Sequence, residues 1–582
     1  MNRRSLLSVV FLAVGGLLLL IAMLVSNADY HQMLLTDQSR SLAWGPTLFR
    51  VLLAVHGLAL IIAGLIWRRS KSSPNAIINR RPVERSAYLI LAILCVAALG
   101  LRLWRLNTDL WFDEILMVLD FIRQPFGEML TSFPSKNQHL LYSILAHLSV
   151  QLFGESAWAV RLPSVFFGVG SIWALFLLGR SVIGTRAALL TCTLMTFSYH
   201  HIWFSQNARG YMGLMFFSTL ATWLWLEAWG RGKGWWLAYA VISALGAWVQ
   251  MLMVFVVATH GLLYLVWLAF PKLFGRVGER REIEGRHRWY PILAWLLCGT
   301  LTLQVYALAL PEFLHTGIHE VSEPSEWVSL WWVITESLRS LKLGFSAVIV
   351  LLAGGAMVGL GLLAMLKRDL LATLSMILPP IFVGVTTLIW SHNFWPRLFF
   401  FAMGFALLIV VQGAMTLPQI LRSLLPSLPI QERWLATAGT GLAALMILAS
   451  CLTIPRVYAL PKQNYTGARD FVESNRQSSD AVVAVGLAGV AYGKYFAPQW
   501  TDAQTQAELD AARQGHANVW LVYTIPIQVK AYRPEIWKVI EKDFEVVKVF
   551  PGTLGGGEVY VCRQKSKNEV AGKRYSDDEI RK

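Results

Sequence analysis

The sequence predicts a mainly α-helical fold, a polytopic transmembrane bundle of about 13 helices, followed by a small C-terminal α/β domain. Of its 582 residues, 55% are hydrophobic and 15% are charged, against about 25% charged in a typical soluble domain. Apolar runs long enough to cross about 30 Å of hydrocarbon recur from Leu6 almost to Ile454. After Pro455 charged residues return and the apolar runs shorten to strand length. These observations exclude an ordinary water-soluble enzyme.

Thirteen apolar runs bounded by polar residues are the predicted crossings, and each has about the 20 residues that a spanning helix needs. They lie near residues 5–26, 47–67, 86–104, 157–179, 186–204, 210–229, 234–250, 252–270, 290–310, 344–366, 370–390, 398–417 and 434–454. The first run is longer than the h-region of a signal peptide, so it predicts a retained helix.

The distribution of basic residues along the sequence agrees with the predicted crossings. Loops 68–85 and 272–288 are rich in Lys and Arg, whereas 311–327 contains four Glu residues and no Lys or Arg. By the positive-inside rule the basic loops face the cytoplasm. We therefore predict a cell (inner, cytoplasmic) membrane protein with a cytoplasmic N-terminus and an extracytoplasmic C-terminal domain. The net charge of +16 is not gathered on one soluble stretch, which argues against a nucleic-acid partner.

Four regions are predicted from these patterns. Residues 1–85 contain two helices and a basic loop, 86–454 form the transmembrane core with an outer loop at 105–156, 455–564 form the α/β domain, and 565–582 are a disordered tail. Four of the five cysteines fall in apolar runs, so no disulfide framework is expected.

Within the α/β domain the apolar runs predict four strands and the stretches between them predict three helices. The strands are expected at 481–485, 519–523, 544–550 and 558–562, and the helices at 467–477, 501–514 and 533–542.

An acidic pair, Asp113-Glu114, follows Trp111-Phe112 just outside the third crossing. Asp113 at such a boundary can act as a general base for an acceptor hydroxyl. Alternatively, both acids cap and charge the N-terminus of a helix that starts at Ile115. The two roles are compatible. These carboxylates are also the oxygen ligands that Mg²⁺ or Mn²⁺ prefers, so a divalent cation is a possible cofactor.

A polar segment separates two long apolar runs at Ser205-Gln206-Asn207-Ala208-Arg209-Gly210-Tyr211. Arg209 at the edge of hydrocarbon is costly unless it meets an anion, and its planar guanidinium suits phosphate oxygens. Tyr211 is a further candidate ligand of that phosphate. The alternative is an Arg that extends to bulk lipid headgroups.

Two further groups are candidate anion ligands. Lys136 and His139 precede a run, Leu140 to Phe153, that is too short to span and predicts an interfacial or re-entrant helix. The N-terminus of such a helix is an anion site. Arg397 lies in a short outer turn and is either a second cation for a phosphate or a membrane-surface anchor.

In this order, these residues resemble the C-type membrane glycosyltransferases, the superfamily of protein O-mannosyltransferases and aminoarabinose transferases. The likeness runs from about Ala87 to Phe400. It includes the acidic pair, the helix at His139 and three short segments, Phe153-Gly154-Glu155-Ser156, Val160-Arg161-Leu162-Pro163-Ser164 and Phe204-Ser205-Gln206-Asn207-Ala208-Arg209.

The resemblance implies a polyprenyl-phosphate sugar donor, an extracytoplasmic acceptor hydroxyl on a protein, lipid or polysaccharide, and an inverting single displacement. It assigns the base to Asp113, with Glu114 assisting, and places Arg209 at the donor phosphate. Two other classes stay open: a transporter or flippase of lipid-linked saccharide, and a non-catalytic subunit of an envelope glycan assembly. Transporters tend to place their polar groups near the midplane on broken helices of paired repeats, whereas here the polar segments lie at the outer surface and no repeat is evident.

Overall fold

The computed structural model describes residues 3–69, 84–135, 137–274, 288–319, 331, 347–390, 395–424, 431–516 and 518–565. Within these residues the chain forms two compact units. The first contains residues up to Trp104 and from Leu119 to Ile454, and the second contains Arg105–Val118 together with the chain from Pro455 onward.

The first unit is built from helices. Those up to Ala269 are α1 Arg3–Leu24, α2 Asn27–Leu34, α3 Gly45–Arg69, α4 Arg85–Leu103, α6 Phe126–Thr131, α7 Leu140–Phe153, α8 Ala157–Val182, α9 Thr185–Thr196, α10 Tyr199–Ser205, α11 Tyr211–Arg231, α12 Lys233–Val249 and α13 Met253–Ala269. Helix α5, Phe112–Met117, belongs to the second unit. The later helices are Trp289–Tyr306, Leu310–His319, Ala347–Arg368, Leu370–Ile389, Met403–Leu424 and Glu432–Cys451. Short π and 3₁₀ segments lie at Val118–Ile122, Pro271–Phe274 and Pro396–Ala402.

Six helices among the described residues are long and apolar enough to cross a membrane, or seven if the bent pair α1 and α2 forms one span. Every predicted crossing coincides with a helix, although the one at 186–204 is broken into α9 and α10. The predicted number of thirteen crossings therefore stays a prediction, whereas the mainly helical, multi-pass character is confirmed.

Burial within the first unit separates central from peripheral helices. α11 packs against α8 and α12, and most of its side chains are buried. By contrast, α3 leaves Val51, Val55, Leu58 and Ile62 exposed along one face. These side chains recur at helical spacing, which is the pattern expected of a face in contact with lipid acyl chains.

The second unit contains a five-stranded mixed sheet in the order β2-β1-β3-β5-β4. Its strands are β1 Ala481–Val485, β2 Thr501–Ala503, β3 Val519–Thr524, β4 Phe544–Phe550 and β5 Val559–Gln564. β1 pairs parallel with β2 and β3, whereas β5 pairs antiparallel with β3 and β4. The helices of this unit are α5, Ile454–Ala459, Tyr465–Asn475, Leu487–Ala491, Gln506–Arg513, Pro526–Tyr532 and Pro534–Asp543. A short π segment lies at Tyr492–Phe496.

The predicted α/β character of the C-terminal region is confirmed, with one error. Residues 501–514 were expected to be one helix, but 501–503 form β2 and the helix begins at Gln506. Strand β2 has only three residues, too few for an apolar alternation to be visible. The predicted disordered tail lies outside the described residues, except for Lys565.

Candidate functional site

The polar segment between α10 and α11 is a turn fixed by two buried side chains. Gln206 donates from its amide to the backbone oxygens of Arg102, at 3.0 Å, and Trp104, at 2.8 Å. The Ser164 hydroxyl, on α8, donates to the backbone oxygens of Asn207, at 2.5 Å, and Arg209, at 3.3 Å. The Ser164 bonds satisfy backbone oxygens within the break between the helices, and the Gln206 bonds satisfy backbone oxygens at the end of α4. The backbone that carries Arg209 is therefore held by α4 and α8.

Gly210 is required by close packing at the start of α11. A Cβ atom built on Gly210 would lie 2.9 Å from the Val249 backbone oxygen and 3.0 Å from the His139 ring. Both distances are shorter than an ordinary van der Waals contact. The glycine thus allows His139 and the end of α12 to approach the polar turn.

Arg209 is buried, with 4% of its surface exposed. Its Nη1 donates to the Asn137 carboxamide oxygen, and its guanidinium carbon lies 5.6 Å from the centre of the Tyr211 ring. A buried guanidinium is costly to desolvate unless an anion or several acceptors surround it. The position therefore suits a negatively charged ligand.

His139 lies beside this arginine. It is the N-cap residue of α7, its ring hydrogen-bonds the Val249 backbone, and it makes an edge-to-face contact with Tyr211 at 5.9 Å. Among the described residues, the buried Nε2 atom has no hydrogen-bond partner. This nitrogen can therefore form a hydrogen bond with a bound ligand.

Burial lowers the pKa of His139 well below its usual range, and the charges of Arg209 and Arg397 lower it further. His139 is therefore a neutral imidazole at physiological pH. As the pH falls below the unfolded value, the unfolded chain binds a proton that the folded chain does not, so stability decreases.

We expect the stability of the wild-type protein to fall through His139 as the pH decreases below about 6.5, the ordinary pKa of His. A His139→Gln variant should show a correspondingly flatter dependence. The measurement is the thermal midpoint of both proteins in detergent between pH 7.5 and pH 5.5. Parallel curves for the two proteins would contradict a depressed pKa.

Arg397 completes the basic cluster of the first unit. It lies in the 3₁₀ segment Pro396–Ala402, is half-buried, and has its guanidinium 4.7 Å from the Trp395 ring. Its charge acts on His139. Of the predicted anion ligands, His139, Arg209, Tyr211 and Arg397 are thus brought together, whereas Lys136 lies outside the described residues.

This basic cluster, defined as His139, Arg209, Tyr211 and Arg397, adjoins the N-terminus of the 21-residue helix α11. Helix N-termini carry unpaired N–H groups and a partial positive charge. Two guanidinium groups and a phenol together can bind a phosphate and donate hydrogen bonds to its oxygens, and the free nitrogen of the neutral imidazole can accept one from a hydroxyl.

The acidic pair lies in the second unit, on α5. The helix begins at Phe112, three residues earlier than predicted, and so includes both acids in its first turn. Glu114 is fully buried and its carboxylate accepts the Trp111 backbone N–H at 3.2 Å. Asp113 is half-buried. The capping interpretation therefore fits Glu114, and Asp113 is the more accessible carboxylate.

A divalent cation stays a prediction. Among the described residues, no three His, Cys, Asp or Glu side chains are grouped as metal ligands. Asp113 and Glu114 would have to be supplemented by oxygen ligands from substrate or water, as is common for Mg²⁺.

Comparison with known proteins identifies a segment that contains three of the four residues of the basic cluster. Residues 137–276 match the family model of Dolichyl-phosphate-mannose-protein mannosyltransferase. The predicted family resemblance is confirmed. This mannosyltransferase-like segment includes His139, Arg209 and Tyr211, whereas Asp113 and Arg397 lie outside it.

Similar individual proteins cover different shares of the chain. "Putative mannosyltransferase YkcB" of Bacillus subtilis (strain 168) is 30% identical over 118 residues, which are 20% of this chain and 16% of that protein. ArnT from Cupriavidus metallidurans, in the apo state, is 13% identical over 84% of this chain and 99% of its own, with a TM-score of 0.47. The oligosaccharyltransferase AglB from Archaeoglobus fulgidus is 12% identical over 83% and 75%, with a TM-score of 0.44.

Several residues that shape these sites have no distinct sequence signal. Asn137 and Ser164 contact the polar turn from 72 and 43 residues away. A third, buried group lies inside the helical unit: Arg102 hydrogen-bonds Nδ1 of His201 at 2.5 Å, and the Ser171 hydroxyl hydrogen-bonds Nε2 of His201 at 2.9 Å. An Arg inside a predicted crossing was a detectable signal, because such residues seldom face lipid.

Proposed function

We propose that the protein is a membrane glycosyltransferase that transfers a sugar from a polyprenyl-phosphate donor to an extracytoplasmic acceptor hydroxyl, with inversion by a single displacement. The observation that carries this proposal is the buried basic cluster at the start of α11, which lies largely in the segment that resembles mannosyltransferases. A phosphate is the group of the donor that such a cluster recognises.

The proposed reaction forms one bond and breaks one. The acceptor oxygen attacks the anomeric carbon, and the bond from that carbon to the phosphate oxygen breaks, so that its electron pair leaves with polyprenyl phosphate. Asp113 accepts the proton of the attacking hydroxyl. Arg209, with Arg397, stabilises the charge that develops on the leaving phosphate, and Tyr211 donates a hydrogen bond to one of its oxygens.

In this proposal His139 binds the donor as a neutral ring, which has two nitrogens and only one proton. The hydrogen bond to the Val249 backbone uses that proton. The buried Nε2 therefore accepts a hydrogen bond from a hydroxyl of the donor.

The isoprenoid tail of the donor explains why the proposed site lies beside the hydrocarbon of the membrane. Each buried methylene of an isoprenoid chain contributes about 0.8 kcal/mol, so the tail does not leave the membrane at useful rates. We propose that the basic loops face the cytoplasm, and that the acidic pair, the basic cluster and the C-terminal unit lie on the outer side of the cell membrane. The acceptor is a protein, a lipid or a polysaccharide.

Purified protein in detergent provides the direct test. We expect it to release polyprenyl phosphate from a lipid extract that contains native lipid-linked sugars, and mass spectrometry of the products should show a glycosylated acceptor from added envelope material. A flippase has no leaflets to connect in detergent and would release none. Unchanged amounts of every lipid-linked sugar after incubation would contradict the proposed function.

A matching test uses cells that lack the protein. Their envelope glycolipids or glycoproteins should lose one sugar, and the corresponding lipid-linked donor should accumulate. Loss of every glycan that depends on the same carrier would instead favour the flippase alternative.

A further inference from the structure

The acidic segment Arg105–Val118 belongs to the same compact unit as the C-terminal sheet, although more than 300 residues of the chain separate them. Helix α5, which carries Asp113, packs against the helix Leu487–Ala491 of that unit. The position of Asp113 within the unit is therefore set by residues far away in sequence.

Gln463 makes the central contact. Its side chain is fully buried, and its carboxamide oxygen accepts the Phe112 backbone N–H at 2.8 Å and the Tyr465 hydroxyl at 3.2 Å. Its amide donates to the Thr524 hydroxyl at 3.0 Å, at the end of β3. The first N–H of α5, one residue before Asp113, is thus bonded through one side chain to the central strand of the sheet.

Two further contacts hold the approach to α5. Both carboxylate oxygens of Asp109 accept from Thr466, one from its backbone N–H and one from its hydroxyl, each at 2.8 Å. Arg105 donates to the Tyr458 backbone oxygen at 2.7 Å. Burial raises the pKa of Tyr465, and the charge of Asp113 raises it further, which places that carboxylate near the same ring.

We propose that the C-terminal α/β unit, which includes the acidic segment, positions Asp113. The positioning residues are Gln463 and the Asp109–Thr466 pair. This inference rests on the proposed function, in which Asp113 is the base. Gln463 holds the first N–H of α5, and the Asp109–Thr466 pair holds the segment just before the helix. General-base catalysis depends on placing the carboxylate within hydrogen-bond reach of its target. The C-terminal unit then contributes to turnover.

The test compares Gln463→Met with a matched control in the same unit. Met has a similar length to Gln but cannot accept the Phe112 N–H, so it removes the bond and leaves little cavity. Asn518→Ala removes a bond to Asp480 on another part of the sheet and leaves Arg105–Val118 untouched. Both variants are made in the full chain, and their sugar transfer is assayed with the donor that is present in the lipid extract.

We expect Gln463→Met to lower kcat by about 10- to 100-fold, with the donor KM changed by less than about threefold. Hydrogen exchange in peptides from Arg105–Val118 should accelerate in the same variant, because its helix start has lost a partner. Asn518→Ala should keep the wild-type kcat and the wild-type exchange of this segment. If Gln463 had only a structural role, Gln463→Met would reduce the amount of folded protein, and it would not lower kcat selectively while KM stayed unchanged.

Thr466→Val is the second variant, for the case in which Gln463→Met does not fold. It removes the hydroxyl donor to Asp109 and keeps the backbone donor, so a smaller fall in kcat is expected. Faster exchange with an unchanged kcat in either variant would overturn the positioning role while the base assignment stands. If Asp113→Asn itself transfers sugar normally, the base assignment fails first, and the inference fails with it.

Discussion

Replacement of Asp113 by Asn is expected to lower the rate of sugar transfer by about 10²- to 10⁴-fold, the range that a positioned general base contributes. Asn has the same shape but cannot accept the hydroxyl proton, so the loss should appear in kcat. Asp113 is half-buried on the first turn of α5. Removal of one negative charge there weakens the helix by about 0.3–1 kcal/mol at most, which is too little to unfold the protein.

The measurement is single-turnover transfer by purified protein, alongside the yield of monodisperse protein. Asp120→Asn is the matched control, because Asp120 is a half-buried acid close to Asp113 in the sequence and has no part in the proposed chemistry. It should change the rate by no more than about twofold. Normal transfer by Asp113→Asn at normal protein levels would remove Asp113 as the base.

Local sequence signals were sufficient for much of the helical unit. The run from Leu140 to Phe153 is bounded by polar residues on one side and Gly154 on the other, and the observed helix α7 has the same bounds. The break at Ser205–Gly210 was visible because polar residues interrupt an otherwise apolar stretch. Long apolar runs and interruptions within them are the strongest signals that a single sequence offers.

Contacts between distant segments were not predictable in this way. Chain order placed the acidic pair in an outer loop of the helical core, a boundary that stays a prediction. In the structure its segment packs with residues beyond Pro455. Phe112 and Gln463 are 351 residues apart. The sequence around a buried glutamine does not indicate which distant residue the glutamine contacts. The same holds for Asn137 beside Arg209.

The candidate site shows a similar division. Arg209 in the polar turn and His139 before α7 indicated an anion ligand from their chemistry alone. Their mutual placement depends on Gly210, whose missing side chain admits the His139 ring. The sequence shows that residue 210 is a glycine, but it does not show that the His139 ring packs against it.

Replacement of Arg209 by Gln is expected to lower kcat/KM for the donor by about 10²- to 10³-fold, the cost of removing one preorganised electrostatic contact to a developing anion. Arg209 is nearly fully buried and is held between Asn137 and Tyr211, so water cannot replace its charge efficiently. Arg209→Lys retains the charge but loses the planar pair of donors. It should therefore show an intermediate rate.

Binding of short-chain polyprenyl phosphate, which has no sugar, separates the phosphate role from the other steps. We expect Arg209→Gln to weaken this binding and Arg123→Gln to leave it unchanged, because Arg123 is an exposed Arg paired with Glu155 and such pairs contribute about 0–1 kcal/mol. Equal binding and equal transfer by wild type and Arg209→Gln would show that Arg209 only contacts lipid headgroups. An intermediate rate for Arg209→Lys would instead require a ligand that uses both the charge and the shape of the guanidinium, as a phosphate does.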